Sequence, residues 1–351
     1  MKNMKKLFCL LLVSVILLSL AACGRKNEAA LPVLDEAETR TSFRIGVCGV
    51  EGGMYLDRIV SHFVAGLEDF DAGSDFSFDF DVRTCGADAA EIREIIGEFI
   101  DGGVDLMVGV TEPVALAMQA ATRDSGIPVI FAAVPDPVGA GLAVSRETPG
   151  ANVTGVTEDI DVTGTTLNLI FAAQPEADEI ALLYDPGLAS SAAAAARAKD
   201  ILDGRGIAWK EYTGSGTEEL LAAAKAVSDA GADAVFTPDD DTVLAAETEI
   251  AGIFSAAGIP QYGCSQAFAE KGAFAGFGAD GGSIGMEAGR LVIELLIIGS
   301  DPASTAFSSV DETITAVNTD TCEALGFEFE EIASKFAPWC TEVESVTAGP
   351  G

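Results

Sequence analysis

Apolar positions along this chain alternate between two rhythms. Short apolar runs at 43–48, 76–82, 105–110 and 128–134 read as strands. Between the first two, Leu56, Ile59, Val60, Phe63, Val64 and Leu67 recur at three- and four-residue spacing, which predicts an amphipathic helix over 54–70. Helices over 87–100 and 113–123 separate the later strands. The rhythm lapses after Leu142 and returns at 152–156. It then continues as helix 163–173, strand 180–184, helix 191–205, strand 208–212, helix 218–230, strand 234–237 and helix 242–257. Such alternation builds parallel sheets with helices on both faces, and two separate series imply two lobes with a boundary near 154–157. Beyond Pro260 a glycine-rich passage over 272–280 precedes a helix at 283–298, a strand at 313–318 and a short helix around 321–325. From Cys340 onward no periodicity remains, so a disordered tail is expected over 336–351.

In open α/β sheets ligands bind beyond the carboxyl ends of the strands, so the loops found there are the candidate site. The first holds Met54 and Tyr55. Its glycines, Gly46, Gly49 and Gly52, have the wrong spacing for a dinucleotide loop. Thr111 and Glu112 precede Pro113 at a helix start, where free N–H groups can hold a carboxylate or simply be capped. Asp136 and Pro137 follow the strand at 128–134, and Gly139 and Gly141 let the chain turn back. In the second series Asp185 leads to Ser190. Three aspartates at 239–241 open the helix at 242, either stabilised by its dipole or with one of them facing a ligand ammonium.

Charge narrows the partners. Twenty Lys+Arg against 55 Asp+Glu give a formal charge of −35, which argues against nucleic acid or an anionic membrane surface. Catalysis finds little support, because the single histidine, His62, sits in a helical pattern and offers no triad. With no C-x-x-C pair, a Cys/His metal site is not expected either, and no cofactor is implied. The first 22 residues read as a secretory signal peptide, with Lys2, Lys5 and Lys6 before an apolar run. Its end, Leu20 to Gly24, resembles the bacterial lipobox, making Cys23 the expected lipid attachment point and 23–42 a flexible tether. Of the five cysteines that remain, only Cys322 with Cys340 was a candidate disulfide.

Residues 43 to about 327 resemble the ABC-transporter substrate-binding lipoprotein family typified by tryptophan- and other aromatic-amino-acid-binding members. The resemblance is carried by Phe131, Val134, Asp136, Pro137 and Val138 through Leu142, then by Pro149, Gly150 and Asn152 through Val156. Asp105, Tyr184, Pro238 with Asp240, Gly272, Gly278, Asn318 and 324–326 are weaker matches. It implies a type I periplasmic-binding-protein fold: two doubly wound parallel-sheet lobes joined by hinge strands, closing on a small-molecule solute. The first lobe would hold 43–156 plus about 279–308, and the second 157–278 plus about 309–335. The resemblance further implies a monomer, lipid-anchored on the extracytoplasmic face, that delivers its solute to an ABC permease. The chain departs from the family's pattern at Gly53-Met54, Glu112 and Ser265, so an aromatic amino acid does not carry over directly. Asp240 keeps the family's acidic position and is expected to meet a ligand amine. An amino acid or related amine-bearing compound is the expected class, and a ligand-sensing module for a membrane receptor is the alternative.

Overall fold

The computed structural model describes residues 41–50, 53–86 and 88–347, excluding the side chains of 53 and 54. The expected signal peptide, Cys23 and tether lie outside the described residues.

Six strands make the first sheet, in the order β2-β1-β3-β4-β5-β11 and all parallel: β1 (Thr41–Val50), β2 (Phe76–Cys85), β3 (Leu106–Val110), β4 (Val129–Ala132), β5 (Val153–Glu158) and β11 (Ser308–Val310). Every residue of β3 and β4 is buried, which is why these strands read as unbroken apolar runs rather than as alternation. Helices α1 (Gly53–Asp71), α2 (Ala89–Asp101) and α3 (Glu112–Thr122) link the strands.

The second sheet runs β7-β6-β8-β9-β10-β12-β13: β6 (Glu179–Tyr184), β7 (Ala208–Thr213), β8 (Ala234–Thr237), β9 (Gln261–Gly263), β10 (Ala275–Ala279), β12 (Thr313–Asn318) and β13 (Glu342–Val346). Only β12 runs antiparallel to its neighbour β10, and β13 then lies parallel to β12. Its helices are α4 (Val162–Ala173), α5 (Ala189–Arg205), α6 (Thr217–Ala230), α7 (Asp241–Ala257) and α8 (Gln266–Glu270).

The chain passes between the sheets three times. It leaves the first after β5, where α4 buries Leu167, Leu169 and Ile170 in the second lobe's core. It returns after β10 as α9 (Gly281–Val292), which buries Ile284, Ala288 and Leu291 against Leu56, Ile59, Phe63 and Leu67 of α1. It leaves again between β11 and β12. Close approach of α9 to α1 depends on glycine. A Cβ at Gly285 would lie 2.2 Å from the Ile59 carbonyl oxygen, and one at Gly281 would lie 2.9 Å from that of Tyr55.

Several expectations need correction. The segments 261–263 and 275–279, the latter within the glycine-rich passage, are strands, although no strand was expected there. A Cβ at Gly276 would lie 2.2 Å from the Ser265 carbonyl oxygen, so this part of β10 needs glycine. The helix expected over 283–298 begins at Gly281 and ends in a π-helical turn, Ile293–Ile298. In place of a disordered tail, α10 (Thr319–Ala324) is followed by α11 (Phe329–Phe336), which buries Ile332 and Phe336, and by β13. Cys322 and Cys340 are free thiols bonded to separate carbonyls, those of Phe327 and Phe336. The closest thiol contact is instead Cys48 with Cys85, 3.7 Å apart at the ends of β1 and β2. No helix among the described residues is long and apolar enough to cross a membrane.

Candidate functional site

At the carboxyl ends of β3 and β4 the first lobe departs from ordinary backbone geometry. Thr111 has φ 80° and Ala133 has φ 55°, in neighbouring strands joined there by the Thr111 N–H donating to the Ala132 carbonyl at 3.0 Å. A positive φ at a β-branched residue costs on the order of 1–3 kcal/mol and persists only where its surroundings impose it. Thr111 makes no side-chain cap to α3, and its Oγ1 is buried without a partner. Glu112 is exposed in the first turn of α3. Asp136 is exposed and accepts the Gly139 N–H at 2.8 Å, a turn that a Cβ at Gly139 would obstruct. Pro137 is buried, and its carbonyl receives the N–H groups of Leu142 and Ala143.

The second lobe's strand ends carry acids. Asp185, after β6, accepts the Gly187 N–H at 2.8 Å, the Ser215 hydroxyl at 2.9 Å and the Thr242 hydroxyl at 3.0 Å. These donors hold its carboxyl below the usual range, the Gly187 N–H most of all. Asp240 is 1% exposed. One of its oxygens caps α7 through the Val243 N–H at 3.0 Å, and the other takes the Asp185 N–H at 2.8 Å. Both oxygens thus accept from backbone N–H groups, which gives Asp240 a capping role at the start of α7. Its neighbour Asp239 is the acid whose side chain stands in the open, with no hydrogen-bond partner among the described residues. Desolvation by the surrounding protein, together with Asp241, Glu158 and Asp240, pushes its carboxyl up to about 7. Ser190 lies exposed in the first turn of α5, and Ser265 caps α8 by accepting the Ala267 N–H at 3.3 Å.

One set of groups draws from both lobes and two crossings. Tyr55 on α1 donates its hydroxyl to Glu158 Oε1, at the end of β5 where the chain first leaves the first lobe. Burial raises both groups; Tyr55 is raised further by Glu158, Asp239 and Asp280, whereas its hydrogen bond partly offsets the rise at Glu158. Asp280, at the return crossing, caps α9 through the N–H groups of Gly282 and Ser283. Among the described residues no cation is seen to act on Tyr55, Glu158 or Asp239. Arg58 comes within 3.9 Å of Asp280, but its guanidinium is engaged in a two-point pair with Glu344 on β13, at 2.7 and 2.6 Å. Among the sequence candidates, Tyr55 therefore belongs to this set. Met54's side chain is outside the described residues. Thr111, Glu112, Asp136, Pro137, Asp185, Ser190 and Ser265 sit at strand or helix ends. Glu158 and Asp280 were not among the sequence candidates; Glu158 is the last residue of β5 and Asp280 directly follows β10.

A surface groove lies elsewhere, between α9 and the segment 305–312. It is open to solvent, and its Arg290 is already paired with Glu287 and Glu294. His62 lies on its rim with Nδ1 2.9 Å from the Arg58 carbonyl. Among the described residues no group of three or more His, Cys, Asp or Glu is arranged to hold a metal ion.

Comparison with known proteins adds what geometry alone does not. The family model described as ABC transporter substrate binding protein matches residues 45–339. A curated "Tyrosine-binding protein" from Clostridioides difficile (strain R20291) is 27% identical over 331 residues, covering 92% of this chain and 93% of the relative. A ligand-free, open structure of a substrate binding protein with adhesive properties from Clostridium difficile superposes with a TM-score of 0.70 at 25% identity, over 88% of this chain and 100% of that one. An ABC domain from Streptococcus pneumonia in complex with L-Trp gives the same TM-score at 24% identity, over 87% and 100%, and so speaks for the fold.

Proposed function

The chain belongs to the ABC transporter substrate-binding protein family, and from that premise we propose that it captures an amine-bearing small solute, an amino acid or a close relative, between its lobes for import. The observation that carries this reading is Asp239. Its exposed carboxylate has no hydrogen-bond partner among the described residues, lies within electrostatic reach of Glu158 and Tyr55, and among the described residues no cation is seen to act on these groups. A protonated amine supplies the missing charge and donates to the carboxylate. The relative named for tyrosine binding supports an amino-acid ligand. Hinge closure about the three crossings would bring Asp239 and Tyr55 onto the solute from opposite lobes.

The test is titration calorimetry with amino acids, amines, sugars and peptides. An amine-bearing compound should bind, and Asp239→Asn should weaken it roughly tenfold to a hundredfold, as expected for a lost charge-assisted bond. Unchanged affinity in that variant would remove Asp239 from the site. The N-terminal leader and Cys23 support lipid anchoring on the extracytoplasmic face, beside the permease. Replacing Cys23 with Ala should release the protein from the membrane fraction.

A further inference from the structure

Beneath the loop that carries Asp239 lies a polar group of side chains sealed from water. Glu247 on α7 and Thr237 at the end of β8 are 0% exposed, and Gln261 on β9 is 1% exposed. Gln261 Nε2 donates to Glu247 Oε2 and to Thr237 Oγ1, each at 3.1 Å. Two atoms are left over: Glu247 Oε1 and Gln261 Oε1 are buried, and neither has a partner. Both are acceptors as drawn, and a buried unpaired acceptor is costly; a buried carboxylate held by one neutral amide is costlier still.

A single hydrogen resolves both. A protonated carboxyl has one O–H donor, and an amide oxygen is its natural acceptor. We infer that Glu247 is kept as a neutral acid whose Oε1–H is donated to Gln261 Oε1, closing a two-bond acid–amide pair that positions Thr237 and the loop behind it. Gln261 then uses both N–H groups and its oxygen, and Glu247 uses both oxygens. Thr237 is tied in twice, through Oγ1 to Gln261 and through its carbonyl to the Cys264 N–H at 3.0 Å. Two residues later comes Asp239.

Electrostatics agree with this assignment. Burial drives the Glu247 carboxyl well above its usual range, and only the Gln261 bond and Lys271 oppose it. Among the described residues, Lys271 is the charged side chain that acts on Glu247, and its ammonium already donates to the Leu244 carbonyl at 2.8 Å. Glu247 is a positioning residue, remote from any ligand. That the loop serves ligand capture rests on the function proposed above; the location of the proton does not.

The test compares the full chain with Glu247→Gln, which keeps shape and hydrogen-bonding capacity but needs no proton. At neutral pH the wild-type-minus-variant infrared difference spectrum should show the carbonyl stretch of one additional protonated carboxylic acid in the wild type. A group with a raised folded-state pKa contributes stability that is complete below its unfolded value and is lost as pH rises toward the folded one. The wild-type melting temperature should therefore fall relative to the variant between pH 5 and 9, by at least about 2 °C. Asp239 and Glu158 contribute the same pH trend to both proteins and cancel. Amide exchange at 237–243 should quicken with pH more in the wild type than in the variant. An absent acid band, or identical pH profiles in the two proteins, would overturn the assignment. So would wild-type stability that depends on sodium or potassium against choline at equal ionic strength, which would place a metal cation between the oxygens.

Discussion

At the ends of β3 and β4 the first lobe presents strained backbone, with Thr111 at φ 80° and Ala133 at φ 55°. At the ends of β6 and β8 the second lobe presents carboxylates, two fixed by hydrogen bonds and one free. The same architectural position is thus filled by two kinds of chemistry. Geometry in the first lobe is imposed by packing and is indifferent to pH. The second lobe relies on which acids find donors, and so it responds to protons.

The sharpest way to break the contrast is to spoil the packing. Gly285→Val places atoms where the Ile59 carbonyl oxygen already lies 2.2 Å from a bare Cβ. It should cost about 3 kcal/mol in urea unfolding, and a neutral outcome would mean that the first lobe is not held by the α1–α9 contact. The second lobe's counterpart is Asp240→Ala, which removes the cap of α7 and leaves the Asp185 N–H unpaired. About 2 kcal/mol should be lost in the same assay.

Protons offer a third and smaller probe. Asp239, with its carboxyl up to about 7 in the free protein, must be ionised to hold an amine. Affinity should therefore weaken as pH falls below about 7, by up to about tenfold per unit, and calorimetry on Asp239→Asn should show a flat profile. Stability moves the other way. Because the folded carboxyl is raised, its contribution is complete below the ordinary aspartate range and lost as pH rises toward about 7, so the Asn variant should melt above wild type at pH 8. The smallest effect belongs to Thr111→Gly, which admits φ 80° without strain and should gain up to about 1 kcal/mol. A loss there would show that the unpartnered Thr111 hydroxyl matters more than the backbone it sits on.

Much of the fold was legible in the sequence because strands buried on both faces and amphipathic helices write strong periodic signals, as in 128–134 and 54–70. β9 and β10 were hidden by their glycines, which are there for close contact: Gly263 faces the Phe268 ring and Gly276 the Ser265 carbonyl. β11 is three residues long, and β13 is recognisable only through its partner β12. In the site, acids at a helix start were foreseen, but not how their roles divide. Successive residues there point in different directions, and Asp240 rather than Asp239 adopted the extended backbone of a cap. Glu158 and Asp280 matter through where the crossings bring them, a property of topology that local pattern does not encode.

The three crossings also limit how such a protein can change over evolutionary time. No single cut yields an intact lobe, since α9 and β11, which complete the first, arrive only after most of the second has been laid down in sequence. Exchanging one lobe between relatives requires three junctions to be placed together. A new specificity is therefore far more accessible by substitutions at the strand ends than by recombination of halves, and the two lobes are bound to diverge as one inherited unit.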